Sequence, residues 1–538
     1  MRYDNIAIDI KDNPQKDYVF YPKGGPYEKW YGNNWVVIAY NNPQMYKWLK
    51  SHGNKLPSES FYLNEGVTYC SSGSRGCSFR YMPCNQVISG AGPGIYPSDI
   101  FDDIYYYLAF LNSTLSVYLL NCLNPTVNVT QGDIKRIPFA KPSIQLRSNI
   151  SILSMQCVAI KKHLCTYSLI EQNYTQSPIA PGIAPKEALL NYYNYENALL
   201  TQVLINEAVI NETVFAIYQL NEHDRQMVIE KEGLSVGSLS VSTAAKASYQ
   251  QWLSEQDDFK PHDDVWAYIE LLPVEDNQAR IDDFDILYQS HNNWEEFCIR
   301  HEMNPIEVWY QAREQAVLPV QRTQTLAFEL IVDVIRSILA KDDDGVVPII
   351  ESTGEEQLVM RIEAELNERG YQPAHMSAIF NLLGMPLDKY LLNRFFQQLS
   401  DHLNLFMYLP KTPFIWHISS GEHHALELYV SIYQWSRDNL YRLKSVYAGN
   451  RDSALRDRLS ALEGQTDANA RMEAEEIRMQ LRELADFCVK IDDLLASGYD
   501  PKLDDGVGKN IAPLQKRKIL NCEVLNAGQM KKYLNADW

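Results

Sequence analysis

The sequence lacks the short motifs that mark several common classes of enzyme. It contains no Walker A phosphate-binding loop, no HExxH zinc-protease helix and no GxSxG nucleophile elbow. It has no CxxC pair, and Cys70, Cys77 and Cys84 follow one another at seven-residue steps, which is not a zinc-binding spacing. The sequence therefore offers no complete set of catalytic or metal-binding residues.

Long apolar runs are also missing. No stretch approaches the ~20 consecutive apolar residues of a membrane span. The N-terminus has no apolar segment of the kind found in secretory signals. Nine scattered cysteines, an odd number, suit reduced thiols. These features predict a cytoplasmic protein that does not associate with membranes.

The chain as a whole has no excess of positive charge, since its net charge is −19. The distribution is uneven, however. Residues 1–150 hold 14 Lys and Arg against 11 Asp and Glu, whereas the remainder holds 35 against 57. The acidity thus belongs to the later part of the chain, and it neither requires nor excludes a nucleic-acid partner for the first part.

The stretch from Tyr105 to Phe139 predicts a helix followed by two short extended pieces. Asp103 stands where the helix dipole favours negative charge, and Asn124-Pro125 ends the helix because proline cannot donate the next backbone hydrogen bond. We expect 126–130 and 134–138 to be strands joined by a turn. Apolar side chains recur on one helical face at three- and four-residue steps: Leu108, Leu111, Leu115, Tyr118 and Cys122.

Residues 1–100 are rich in aromatics, glycine and asparagine, and they predict short strands and loops. The loop from Tyr21 to Asn34 precedes a predicted strand at 35–40. Its lysines could neutralise DNA phosphates, and its asparagines could bond an adenine edge. From these residues alone, a glycine-rich turn whose aromatic side chains pack on the sheet is the favoured explanation. The candidate DNA-binding residues of the loop are Lys23, Lys29, Trp30, Tyr31, Asn33 and Asn34.

A second polar loop, Ser71–Tyr81, contains Arg75 and Arg80. In the major groove an arginine can bond guanine bidentately. A solvated loop without a partner explains the same residues equally well.

A glycine-rich segment at 87–95 combines a predicted strand with a GxGxG pattern. Such a pattern can indicate a loop that binds S-adenosylmethionine or a dinucleotide. Because Tyr96-Pro97 interrupts the chain where a helix should begin, a cofactor loop is not favoured here.

The segment FLNSTLSVYLLNCLNPTVNVTQGDIKRIPF, at 110–139, resembles the closing element of the target-recognition domain of adenine-specific DNA methyltransferases. The similarity is strongest to the PglX family of BREX phage-defence systems. The family has a KGG-x-Y-x-KWYGN segment similar to residues 23–33, and 503–510 resembles its LDDGV-xx-N ending. The resemblance covers essentially the whole chain, but only the C-terminal half of the family's length.

The resemblance implies a chain that reads double-stranded DNA rather than one that catalyses. Methyltransferases of this family need an [Asn/Asp/Ser]-Pro-Pro-aromatic loop to hold the flipped base, and this sequence has no Pro-Pro pair. Asn41-Asn42-Pro43-Gln44 is the nearest approach. We expect the catalytic half and its S-adenosylmethionine to lie upstream or in another chain, with no cofactor or metal in this one. To the loop residues above, the resemblance adds Lys135 and Arg136 as phosphate contacts.

From about residue 145 the sequence becomes helical. We predict an α+β protein: a mixed α/β target-recognition domain at 1–145, a helical spacer at 146–340 and a mainly helical C-terminal domain at 341–538. Near the end, apolar residues follow an a/d pattern that predicts a helical hairpin with the leucines at 455–462: Ile477, Leu481, Leu484, Cys488, Ile491 and Leu495.

The sequence thus predicts the DNA-recognition part of a BREX adenine-specific methyltransferase. Its expected partners are double-stranded DNA, the catalytic half and other BREX proteins. Two alternatives stay open. One is a degenerate fragment that acts as a protein-interaction module in the defence complex. The other is an autonomous methyltransferase that uses Gly90–Gly94.

Overall fold

A computed structural model describes residues 18–40, 58–71, 73, 75–96, 98, 103–291, 293–351, 354–405, 409–465 and 467–536. Within these ranges many helices accompany three small sheets, which confirms the α+β class predicted from the sequence. None of the helices in these ranges combines the length and the apolarity that a membrane crossing requires. Asn41–Gln44 lies outside the described residues.

The described residues form two compact units. The first unit comprises 18–179 with 186–323, and the second comprises 180–185 with 324–536. The division into three domains at 145 and 340 stays a prediction.

Two small antiparallel sheets hold the start of the first unit. Tyr18–Phe20 (β1) pairs with Val37–Ala39 (β2), which lies within the strand predicted at 35–40. Gly66–Tyr69 (β3) pairs with Phe79–Met82 (β4) on one side and Gly94–Ile95 (β5) on the other. All four residues of β3 are buried, so this short sheet belongs to the core.

Helices make up most of the rest of the first unit. They are Ile104–Asn112 (α1), Thr114–Leu123 (α2), Gln131–Arg136 (α3), Ile144–Leu164 (α4), Pro185–Ile217 (α5), Glu222–Glu232 (α6), Thr243–Glu255 (α7), Asp263–Leu271 (α8), Phe284–Gln289 (α9), Trp294–His301 (α10) and Pro305–Glu314 (α11). The first residues of Val320–Lys341 (α12) also belong to this unit.

The predicted helix after Asp103 exists, but it is divided at Ser113. Asp103 caps α1, because its carboxylate accepts from the backbone NH groups of Tyr105 and Tyr106. Ser113 ends α1, and its hydroxyl accepts from the Ser116 NH at the start of α2. The predicted end at Asn124-Pro125 is confirmed.

The two strands expected after this helix are wrong. The side chain of Asn124 accepts from both the NH and the hydroxyl of Thr126 in a local turn, and at 126–130 only an isolated bridge at Asn128 forms instead of a strand. At 131–136 the chain forms α3. Thr130 and Asp133 cap it reciprocally: the Thr130 hydroxyl accepts from the Asp133 NH, and the Asp133 carboxylate accepts from the Thr130 NH.

The second unit contains a three-stranded antiparallel sheet in the order β6-β8-β7. Its strands are Val346–Pro348 (β6), Ile415–Ser419 (β7) and Glu427–Ser431 (β8), and every residue of all three is buried. Its helices after α12 are Leu358–Glu368 (α13), Pro373–Leu382 (α14), Leu387–Asn393 (α15), Phe395–His402 (α16), Arg437–Arg442 (α17), Gly449–Leu462 (α18), Ala468–Ala496 (α19), Gly506–Lys516 (α20) and Ala527–Leu534 (α21).

The predicted helical hairpin is confirmed by α18 and α19. Leu455 and Leu462 of α18 are buried with Ala474 and Ile477 of α19 in one apolar cluster. Further along α19, Leu484 and Ile491 join the core beside the sheet. The apolar face of α19 is therefore covered within the second unit, first by α18 and then by the core beside the sheet.

Candidate nucleic-acid interface

The loop predicted to bind DNA is folded into the first unit. Trp30 is 1% exposed, and its backbone joins the edge of β4: its NH donates to the Phe79 carbonyl, and its carbonyl accepts from the Tyr81 NH. The indole NH of Trp30 donates to Glu207 at 2.6 Å. Trp30 thus fixes the loop to both β4 and α5.

Lys29 lies beside Trp30 in the same interior. Its ammonium group contacts Glu207 on α5 at 2.8 Å and Glu295 on α10 at 3.4 Å. Burial favours the neutral amine, but the two carboxylates outweigh this effect and hold the pKa of Lys29 well above its usual value. Burial also raises the pKa of Glu207, although Lys29 opposes that shift.

The polar residues that follow are bound by protein groups as well. Tyr31 donates its hydroxyl hydrogen to Asn173 at 2.9 Å. The backbone NH groups of Asn33 and Asn34 donate to Glu171 at 2.9 and 3.3 Å. Tyr31, Asn33 and Asn34 are buried, so in this conformation they support the loop from inside.

The two arginines of the second polar loop have different environments. Arg80, on β4, is 1% exposed, and burial lowers the pKa of its guanidinium group. Arg75 is about one third exposed, lies over the Tyr27 ring at 4.4 Å and contacts Glu296 at 2.7 Å. Lys23, half-buried, lies over the Tyr21 ring at 5.5 Å.

Lys135 and Arg136 are exposed in the last turn of α3, where cations complement the helix dipole. They open a segment, 134–170, that contains six Lys and Arg residues and no Asp or Glu. Lys141 and Lys162 in this segment are also exposed, whereas Lys161 contacts Glu28 at 2.5 Å. In a chain of net charge −19, the sequence of this segment is locally basic, although a carboxylate from another element, Glu28, contacts it at Lys161.

The structure therefore separates the ten predicted DNA-binding residues into an interior and a surface set. The interior set comprises Lys29, Trp30, Tyr31, Asn33, Asn34 and Arg80, and the surface set comprises Lys23, Arg75, Lys135 and Arg136. Sequence reasoning missed the carboxylates that bind Lys29, Trp30 and the backbone of 33–34, because they come from distant elements. The acid-free run at 134–170 was visible in the sequence.

The glycine-rich segment has a structural explanation. A Cβ atom on Gly92 would lie 2.4 Å from the Pro22 carbonyl oxygen, so the close approach of two loops requires glycine there. Ser89 bridges the same loops, since its hydroxyl donates to the Pro22 carbonyl and accepts from the Gly92 NH. The strand predicted before the GxGxG pattern does not form at 87–89, whereas Gly94–Ile95 at the end of the pattern forms β5.

No protein-family model matches the chain. The chain is 22% identical over 521 residues to the adenine-specific methyltransferase BrxX of Escherichia coli O9:H4 (strain HS), an alignment that covers 91% of the chain and 39% of BrxX. It is 29% identical over 144 residues to the adenine-specific methyltransferase PglX of Lacticaseibacillus casei (strain Zhang), covering 24% of the chain and 11% of PglX. The chain thus spans about two fifths of the length of BrxX. These similarities support a relationship with the BREX family of adenine-specific methyltransferases.

Proposed function

We propose that this chain is the DNA-recognition part of a BREX adenine-specific methyltransferase. The observation that carries the proposal is the run of sequence at 134–170, which has six basic and no acidic residues and exposes Lys135, Arg136, Lys141 and Lys162. Cations on such a surface neutralise DNA phosphates, and they supply affinity and register without reading sequence.

In this proposal, sequence is read by the surface loop that carries Arg75. Its guanidinium group is about one third exposed, and release from Glu296 would free it to bond guanine bidentately, a contact that discriminates between bases in the major groove. The buried loop around Trp30 holds this region in place. Transfer of the methyl group from S-adenosylmethionine would be performed by a catalytic part beyond this chain.

The test is fluorescence-anisotropy binding to duplex DNA in the presence of a catalytic part from the same methyltransferase. We expect preference for one adenine-containing site over a scrambled duplex. Replacing Arg75 with Ala should reduce that preference, with a cost of about 1–3 kcal/mol at one base pair. Binding that ignores sequence, or no binding at low salt, contradicts the proposal.

A control distinguishes a lost contact from a damaged protein. Arg280→Ala removes an arginine that is largely exposed at another place in the first unit, where it lies 4.0 Å from Asp282. This variant should keep both affinity and site preference. Equal loss in the two variants would mean that Arg75 reads no base.

A further inference from the structure

The first unit contains a cavity of about 380 Å³. It is bounded by the buried loop at 26–35, by α4, α5 and α10, and by the start of α12. A volume of this order suits a small organic ligand. Glu28 and Glu295 on its wall remain 27% and 24% exposed, so the cavity reaches solvent at their side. Aromatic residues supply a large part of its lining: Tyr27, Trp30, Tyr31, Trp35, Tyr288 and Trp294.

Negative charge exceeds positive charge on the cavity wall. Three cations, Lys29, Lys161 and Arg322, face five carboxylates, which leaves a formal charge of −2. The carboxylates are Glu28, Glu171, Glu196, Glu207 and Glu295. Phosphate groups would be repelled by this wall, so the cavity does not suit DNA or nucleotides.

The excess negative charge has two sources. Glu207 and Glu295 share one cation, Lys29. Glu171 is bound by NH groups in the described structure: the Trp35 indole at 2.5 Å and the backbone of Asn33 and Asn34. Burial raises the pKa of both Glu171 and Glu207, as expected for carboxylates that lack full compensation by cations.

One further acceptor is available in this wall. Glu196 is 6% exposed, and its Oε1 contacts Arg322 at 2.5 Å and accepts from the Tyr192 hydroxyl at 2.9 Å. Its other oxygen, Oε2, is buried with no hydrogen-bond partner among the described residues. A buried carboxylate oxygen in that state would gain from a donor.

These observations point to an organic cation rather than a metal ion. Within the described ranges, no group of three His, Cys, Asp or Glu residues is placed to hold a metal. Carboxylates combined with aromatic walls are the usual surroundings of bound ammonium groups, because an aromatic face attracts a cation and the carboxylates neutralise it.

We propose that this cavity binds one aliphatic di- or polyamine per chain. Its ammonium groups would compensate the two excess negative charges, while its methylene chain would pack against the aromatic wall. The cavity shares Lys161 of α4 with the basic segment at 134–170, but amine binding in it does not require that the chain reads DNA.

Isothermal titration calorimetry of the full chain with spermidine and putrescine at physiological salt tests this proposal. We expect saturable binding of one amine per chain. Glu295→Gln removes one negative charge at the exposed side while leaving the shorter Lys29–Glu207 contact, and it should weaken binding roughly five- to ten-fold. Leu200→Trp should abolish binding, because Leu200 lines the cavity and the larger ring would fill it.

A matched control is Glu230→Gln, which removes the same charge from an exposed position of α6. It should leave the affinity unchanged. Absence of saturable binding overturns the proposal. So does equal weakening by Glu295→Gln and Glu230→Gln, which would reveal a general attraction of amines to an acidic protein. Circular dichroism tests whether Leu200→Trp is folded. If this variant does not fold, the comparison of the two glutamine variants decides whether the amine binds in the cavity.

Discussion

A buried ammonium group, that of Lys29, depends on two carboxylates from distant parts of the first unit. Its side chain is 15% exposed and that of Glu207 is 12% exposed, so both charges have lost most of their water. Such a pair is weak evidence for net stabilisation, because desolvation cancels much of the attraction. Removing one member of the pair, by contrast, destabilises the fold, since it leaves the other charge buried without compensation.

We expect Lys29→Met to lower the free energy of unfolding by roughly 3–5 kcal/mol, the cost of breaking a buried ion pair. Methionine keeps the volume of the lysine stem, so loss of charge is the main change. Urea denaturation followed by tryptophan fluorescence measures the effect, because Trp30 is the adjacent residue.

The double variant Lys29→Met, Glu207→Gln should recover part of the loss, since it also removes one of the two carboxylates, Glu207 and Glu295, that the loss of Lys29 leaves uncompensated. Lys260→Met serves as the control, because Lys260 is exposed. A cost below about 1 kcal/mol for Lys29→Met would contradict the role of Lys29 as a structural ion-pair partner.

Lys29 illustrates which contacts cannot be predicted from the sequence. For the loop 21–34, packing of the aromatic side chains on a sheet was the explanation favoured by the residues alone, and Trp30 does join β4 in the structure. Nothing in the sequence connects Lys29 with Glu207 or Glu295, which lie 178 and 266 positions away. Burial at Arg80 is equally invisible, because an arginine in a polar loop is ordinarily exposed.

Helices were predicted more reliably than strands. The a/d pattern near the end of the chain correctly predicted the α18–α19 hairpin, because its apolar residues recur over three turns or more. The predicted strand at 134–138 was wrong, and the one at 126–130 is reduced to a single bridge at Asn128. Two local signals opposed them: the Asn-Pro-Thr turn and the Thr-x-x-Asp capping box at 130–133.

The hairpin permits a test within one helix. Ile477 is 5% exposed against α18, whereas Met472, five residues earlier on α19, is 73% exposed. Ile477→Ala should cost about 2–4 kcal/mol because it leaves a cavity. Met472→Ala should change stability by less than about 0.5 kcal/mol. Hydrogen exchange of the α18 and α19 amides reports the hairpin directly.

The expected result is faster exchange in both helices for Ile477→Ala and unchanged exchange for Met472→Ala. Similar exchange in the two variants would mean that the α18–α19 contact contributes little, and that α19 is held by the core around Leu484 and Ile491 instead.

At the scale of the whole molecule, charge is segregated along the chain. The net charge of −19 opposes approach to DNA, whereas 134–170 has basic residues and no acidic ones. We expect binding through this segment to involve few phosphates, because the rest of the protein repels them. The dependence of affinity on salt measures that number.

With Lys135, Arg136 and Lys141 as the phosphate contacts, the slope of log affinity against log salt should be about −2.7, from about −0.9 for each contact. The double variant Lys135→Ala, Arg136→Ala should reduce the magnitude of the slope by about 1.8 and weaken binding to all sequences alike. The control is the double variant Lys531→Ala, Lys532→Ala, which removes an equal charge from two consecutive, exposed lysines on α21. It should leave the slope unchanged. Because both double variants make the net charge more negative by the same amount, equal changes in slope would show that affinity follows total charge. A change confined to the first variant would place DNA on α3, and a slope far steeper than −2.7 in the unmodified chain would require phosphate contacts beyond this surface.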